Sequence, residues 1–304
     1  MRSLVVGGAG FIGSHLVERL LAEGHAVDVV DDLSSGSLAN LGDARAFGGE
    51  LTIHTLDVCA EQFGALVAMR DPDVIVHLGW WPPGVPVAAE ARTAGAAIHS
   101  MVAVLEAART NGATKVVTML PATALYGEVP PREQPVKEAQ PWVPLGTRGI
   151  VARTVADMLA MYRRDHAVEF TALALSSVYG PRQRVDGGVV ARFAQAARDG
   201  VAPQMLGDGR QTRDFLYIDD AVDAIVRAGQ RGSGLVVNVG TGVATSVRDL
   251  WQAIGGPAAL APIPGPQPVD DVHRFAISPT RARIHLSWAP WTDLAVGLRA
   301  VIQR

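Results

Sequence analysis

Lysine is almost missing from this chain. It occurs only at Lys115 and Lys137, and tyrosine only at Tyr126, Tyr162, Tyr179 and Tyr217. No tyrosine stands four residues before a lysine, so chemistry that needs such a pair on one helix face is excluded. Cysteine is scarcer still: Cys59 is alone. It cannot form an internal disulfide, and it reads as a small buried side chain rather than a nucleophile. No histidine or cysteine pair has metal-ligand spacing, and His99 stands alone on its helix, so no metal is expected. There is no apolar run of about 18 residues, and the chain enters a strand at once. Neither a membrane span nor a signal peptide is expected, and the cytoplasm is the default location. A basic surplus is also missing, because 27 Lys and Arg face 30 Asp and Glu for a net charge of −3. That balance argues against nucleic acid or an acidic membrane as a partner.

What is present is 304 residues, 48% apolar and 19% charged. This is the balance of an ordinary globular protein with about two domains. The first landmark is VVGGAGFIGSHL. Leu4, Val5 and Val6 form an apolar run suited to a buried parallel strand. Phe11, Ile12, Leu16, Leu20 and Leu21 then recur at helical spacing. Gly7, Gly10 and Gly13 therefore lie between a strand and a helix, where a dinucleotide fingerprint belongs. One glycine permits the tight turn, one lets backbone approach a pyrophosphate, and one lets the helix pack on the sheet. Free N–H groups at the helix start face the phosphates. A second strand, Ala26 to Val30, ends in Asp31 and Asp32. Asp31 is close to the spacing expected of the carboxylate that binds the adenosine ribose, and a carboxylate there favours NAD over NADP.

Strand patterns at Leu51–Thr55, Val74–His77, Lys115–Met119 and Phe170–Leu175 alternate with helical patterns. The helices fall near Glu61–Met69, Val87–Thr110 and Gly149–Arg164. This alternation predicts a parallel sheet covered on both faces. After Tyr179, Gly-Pro, Asp-Gly and Gly-Asp-Gly punctuate short segments, and Pro257–Pro268 is a proline-rich connection. The fold class expected is α/β: a Rossmann-type doubly wound parallel sheet with a smaller C-terminal α/β substrate-binding domain. The first domain takes residues 1–175 and about 214–245, the second 176–213 and 246–304. No internal repeat is visible.

GGAGFIGSHL, DDLSSGS from Asp31, LDV at Leu56–Val58 and VIVHLG at Val74–Gly79 form a set. With them go ALYGE, SSVYGPRQ, GDGRQTRDFLYIDDAVDAI, NVGTG and the C-terminal LSWAPWTDLAVGL. On these segments the chain resembles the extended short-chain dehydrogenase/reductases, specifically the nucleotide-sugar epimerases and dehydratases. The resemblance implies bound NAD, with Asp31 on the ribose and Asp32, Leu33, Ser34, Ser35 and Gly36 along the adenosine. Asp57 and Val58 would bracket the adenine; Leu78, Gly79 and Trp80 would lie along the phosphates and nicotinamide ribose. A nucleoside-diphosphate sugar, or a related small molecule, would be the ligand of the second domain. There Gln204 and Leu206 border the base and Arg213 contacts ribose or phosphate. Arg213 reads equally well as an ion-pair partner of Asp214, Asp219 or Asp220. The resemblance also implies a homodimer through the helices at Val87–Thr110 and Gly149–Arg164. Ile150, Val151, Val155, Met158, Leu159 and Tyr162 give the second an apolar face, although burial within one subunit gives a similar stripe.

Such enzymes carry Tyr-x-x-x-Lys, in which the tyrosinate takes a hydroxyl proton as NAD takes the hydride. Aligning GIVARTVAD on that helix puts Gly149 at the tyrosine and Arg153 at the lysine position. Arg153 then holds the ribose but relays no proton. Other departures cluster at the reacting end: Ala122 for a serine or threonine, a replaced asparagine near Ala97, Ser177 for a substrate-contacting asparagine, and Pro268 for an arginine, with His273 and Arg274 close by. Thr123 and Tyr126 are the candidate proton carriers. His77 reads as structural. Trp80 and Trp81 form a bulky loop at the pocket edge, suited to stacking on a sugar or planar ligand, or to filling space. Three functions follow: an epimerase- or dehydratase-like enzyme with a non-standard site, an enzyme that reuses the fold on a non-sugar substrate, and a catalytically silent NAD- and sugar-nucleotide-binding protein.

Overall fold

Short β-branched runs separated by helices with one apolar face fix the architecture. The computed structural model describes residues 1–112, 114–266 and 271–303. Its elements begin β1 (Arg2–Val6), α1 (Phe11–Ala22), β2 (Ala26–Asp31), β3 (Leu51–Thr55), α2 (Gln62–Arg70) and β4 (Val74–His77). They continue with α3 (Glu90–Asn111), β5 (Lys115–Pro121), α4 (Ala122–Tyr126), α5 (Gly146–His166), β6 (Phe170–Leu175) and β7 (Ser177–Tyr179). Then come α6 (Val189–Asp199), β8 (Gln204–Leu206), β9 (Thr212–Arg213), β10 (Phe215–Tyr217), α7 (Ile218–Gln230) and β11 (Leu235–Val239). The chain closes with β12 (Thr245–Ser246), α8 (Val247–Gly255), β13 (Ile263–Gly265), α9 (Thr280–His285) and α10 (Leu294–Ile302).

Seven strands form one sheet in the order β11-β6-β5-β4-β1-β2-β3, and every neighbouring pair is parallel. Side chains alternate between its faces. Leu4, Val6, Ile75 and Val116 join one core, beneath α2, α3 and α5. Val5, Val74, Val76 and Val117 join the other, beneath α1, α7 and α9. The sheet is thus doubly wound, as the β/α alternation predicts. The chain reverses its direction across the sheet between β1 and β4, and ligands of such sheets bind in the crevice outside that switch point.

A third core gathers Phe193, Met205, Phe215, Leu250, Trp251 and Leu298 from α6, β8, β10, α8 and α10. Its strands make only two-stranded ladders. This smaller assembly stands over the C-terminal edge of the main sheet, where β7 leaves β6 to pair with β10. The apolar stripe of α5 is largely consumed inside the subunit: Val151, Val155, Leu159 and Tyr162 are buried against the sheet and α3, while Ile150 is exposed. It therefore supplies no evidence for a dimer. No helix among the described residues is long and apolar enough to cross a membrane.

Candidate active site

The first turn after β1 is made of backbone in close approach. Gly7 has φ +81°, and a Cβ there would lie 2.8 Å from the Gly79 nitrogen. A Cβ on Gly13 would strike the Gly7 carbonyl oxygen and lie 2.7 Å from Gly8 Cα. Only glycine lets β1, the turn, α1 and the loop after β4 pack this tightly. Gly10 is the N-cap of α1 and no side chain caps the helix, so its first N–H groups are available to an anion. At the end of β2, Asp31 is buried, and burial pushes its pKa up against two backbone hydrogen bonds. One oxygen accepts from Ala9 N and the other from Leu33 N, both at 2.9 Å. Each keeps acceptor capacity for a ribose diol. Leu33 takes a left-handed φ of 60°, which turns the chain so that exposed Asp32 caps Ser34 N at 2.9 Å. Ser35 is exposed beside them, and a Cβ on Gly36 would lie 2.9 Å from the Ala9 carbonyl carbon. At the end of β3, Asp57 holds Cys59 N at 2.8 Å, and Val58 is buried. Glycine cradle, uncapped helix and acid at the end of β2 together fit a dinucleotide.

A cleft of about 460 Å³ opens beside this turn. Phe11 and Ile12 of α1, Leu78, Trp80 and Trp81 after β4, and the end of β5 line it. Trp80 donates its indole N–H to the Met119 carbonyl at 2.9 Å and meets Trp81 edge-to-face at 6.2 Å. The pair is a fixed wall, with Trp81 the half-buried member. Ser177 also lines the cleft, as does Ser176, whose buried hydroxyl oxygen has no partner among the described residues.

Of the candidate proton carriers, Thr123 lines the cleft. Tyr126 does not: it is fully buried, its hydroxyl donates to Asn238 Oδ1 at 2.9 Å, and burial pushes its pKa up to about 12. It turns away because the short helix α4 points it into a separate cluster with Val136 and Phe275. Arg153 does not reach the cleft either. Its side chain is 55% exposed, and Asp157, one turn on, lies 3.8 Å away. The register that placed Gly149 and Arg153 opposite the nicotinamide is therefore wrong by one turn. α5 begins at Gly146, and its head presents Leu145 and Arg148 to the cleft. The pair four apart whose first member faces the cleft is Leu145 and Gly149. The Ala124 carbonyl oxygen accepts Leu145 N at 2.8 Å and also blocks any Cβ on Gly149.

The far wall carries Arg213, paired with Asp271 and donating to the Thr212 and Val272 carbonyls at 2.7 Å each. Neither Asp214, Asp219 nor Asp220 is its partner. Asp214 instead accepts from Thr241 N, Gly242 N and Ile277 N, which ties the NVGTG turn to the loop before α9. Asp220 accepts from Thr292 N at 3.1 Å. Gln204 and Leu206 lie on β8, paired with β13, and do not line this cleft. Arg274 is exposed, and its carbonyl accepts from Gln134 Nε2 at 2.7 Å. Pro268 lies outside the described residues. His77 is buried with Nε2 3.1 Å from Ser100 Oγ, and burial lowers its pKa to about 4. No cluster of metal-ligating side chains occurs among the described residues.

A model of the NAD dependent epimerase/dehydratase family matches residues 3–240. The chain belongs to that family. It is 39% identical over 314 residues to a UDP-glucose 4-epimerase of Mycolicibacterium smegmatis, with 100% of this chain and 98% of the relative covered. The UDP-glucose 4-epimerase of Thermotoga maritima, solved with UDP-glucose, superposes with a TM-score of 0.93 at 32% identity, covering 100% of this chain and 98% of that one. That of Thermus thermophilus, in complex with NAD, gives 0.89 at 30% identity with the same coverage. Within the family's fold, sequence reasoning missed Leu145, Arg148, Ser176 and Asp271 as wall residues. One signal was present: Arg153 has Asp157 four residues on, while Arg148 has Ala152 and no acid one turn away.

Proposed function

We propose that this protein is an NAD-dependent enzyme acting on a nucleotide-activated sugar, with hydride transfer in a site that has no Tyr-x-x-x-Lys pair. The observation that carries this reading is one continuous cleft running from the uncapped head of α1 to Arg213 on the opposite wall. Gly7, Gly10, Phe11, Ile12 and Gly13 would hold the dinucleotide phosphates, and Asp31 the adenosine ribose. When bound there, NAD supplies a hydride acceptor and donor. Arg213, already held by Asp271, presents the rest of its donor fork to a diphosphate. Thr123 and Ser176 offer hydroxyls to the sugar, and Trp81 a ring for stacking.

Thr123 is the hydroxyl we assign to the reacting sugar oxygen. It relays a proton to water rather than acting as a tuned base. A well-placed general base contributes about 10²–10⁴-fold, so turnover should fall short of an ordinary epimerase by that order. The test is interconversion of UDP-galactose and UDP-glucose with NAD present, in wild type and in Thr123→Val. A lower kcat with unchanged KM in the variant supports the assignment. The absence of nucleoside-diphosphate binding would dismiss the sugar-nucleotide reading and favour a non-sugar substrate.

A second reading has its own observation. Among the described residues the cleft is lined by no lysine, histidine or glutamate. Its one tyrosine, Tyr179, is turned toward the Leu294 carbonyl, with its pKa pushed up by burial. Saturable binding of NAD and UDP-sugars without turnover would make the protein a silent binding partner. By likeness to the family we also propose a homodimer, which light scattering on the eluting protein tests.

A further inference from the structure

Two guanidinium groups line the cleft among the described residues, and only one has a counter-charge among them. Arg213 is committed to Asp271 and two carbonyls. Arg148, in the first turn of α5, makes no hydrogen bond or ion pair with any described residue. Desolvation at the cleft wall lowers its pKa, and no described carboxylate offsets that. The residue is exposed and lines the cleft, so its donors are open to a ligand there. A cleft-lining guanidinium without a counter-charge keeps its planar donor fork free for an anionic group.

The position selects the kind of charge. Arg148, on the first turn of α5, lines the cleft with Leu145 and with Thr123 of α4, just after β5; Arg213 comes from β9 on the opposite wall. A nucleotide sugar with its diphosphate at Arg213 and its ring against Thr123 brings the ring substituents, not the diphosphate, to Arg148. A planar guanidinium fork matches a carboxylate with two parallel hydrogen bonds. We propose that Arg148 binds a carboxylate on the sugar end of the substrate, so that the cleft selects an acidic nucleotide sugar over a neutral one. This rests on the nucleotide-sugar reading above.

The test is calorimetric titration of the NAD-loaded protein with UDP, UDP-glucose and UDP-glucuronate, in wild type, Arg148→Gln and Arg148→Lys. Thermal melts confirm that each variant folds. Wild type should prefer UDP-glucuronate over UDP-glucose by about tenfold, the equivalent of roughly 1.4 kcal/mol. In Arg148→Gln the ratio should fall to about one, and Arg148→Lys should restore part of it. Equal affinity for the two sugars in wild type overturns the proposal and leaves the nucleotide-sugar reading standing. A loss for UDP alone as large as for UDP-glucuronate in Arg148→Gln assigns the guanidinium to the diphosphate and also overturns it. Failure of wild type to bind any of the three overturns both.

Discussion

Around Gly7–Gly13 the site is built from backbone: amide groups at the head of α1, glycines that admit no Cβ, and an aspartate held by two main-chain N–H groups. Around Thr123 and Arg148 it is built from side chains, and its chemistry depends on which turn of α5 faces the cleft. The comparison shows why one end keeps a familiar form while the other departs from it. A backbone site tolerates almost no substitution at its contact points. A side-chain site changes chemistry with each residue that lines it.

Gly13→Val is the strongest way to break the first half of that contrast. Its Cβ meets main-chain atoms of Gly7 and Gly8 that cannot rotate away. We expect a stability loss of about 3 kcal/mol and no NAD binding, read by urea unfolding and by a fluorescence titration. Wild-type-like NAD affinity would show that the turn is not the cofactor cradle.

His77 lies on β4, under the seam between the two ends. Its folded pKa of about 4 lies below the ordinary 6.5, so the unfolded chain binds the extra proton first. Its neutral ring is accommodated without penalty above pH 6.5, and stability is lost as pH falls toward about 4, by roughly 3 kcal/mol in all. Urea midpoints across that window should flatten in His77→Gln. An unchanged slope would assign the acid sensitivity to other groups.

At the reacting end, Leu145→Tyr with Gly149→Lys writes the missing pair into the turn that faces the cleft. We expect no epimerase activity and a loss of about 1–3 kcal/mol, because the lysine Cβ meets the Ala124 carbonyl. A stable, active double variant would show that the β5–α4 turn yields. The smallest effect is expected from Asp31→Asn. An amide cannot accept from both Ala9 N and Leu33 N and still serve the ribose. NAD should bind about tenfold more weakly, roughly 1.4 kcal/mol, with the preference over NADP reduced; an unaltered NAD to NADP ratio would remove Asp31 from ribose recognition.

Six of the seven strands of the sheet were legible as short β-branched or apolar runs of nearly the right length, while β11 (Leu235–Val239) was not read as a strand. Leu51–Thr55, Val74–His77 and Phe170–Leu175 were delimited as they stand. The glycine turn was legible because glycine marks places where a side chain is forbidden. The head of α5 was not. Helical periodicity runs through it without a cap or acid to mark the start, and the first turn begins three residues before Gly149. That offset moves Arg153 onto the exposed flank and brings Arg148 to the cleft. Tyr126 misled for a related reason, since a five-residue helix reverses its direction without any periodic signature. Asp271 was hidden because its pairing with Arg213 spans 58 residues of sequence.

One carbonyl, that of Ala124, both receives the Leu145 amide and rests against Gly149. Its consequence concerns the sequences that neighbour this one. A lysine at 149 alone is over-packed, and a tyrosine at 145 alone has no lysine four residues on. A mutational walk of single steps from this chain toward a working tyrosine–lysine enzyme has no stable first step at 149. The turn that carries Ala124 has to be rebuilt together with the head of α5, so the two segments vary as one unit or not at all.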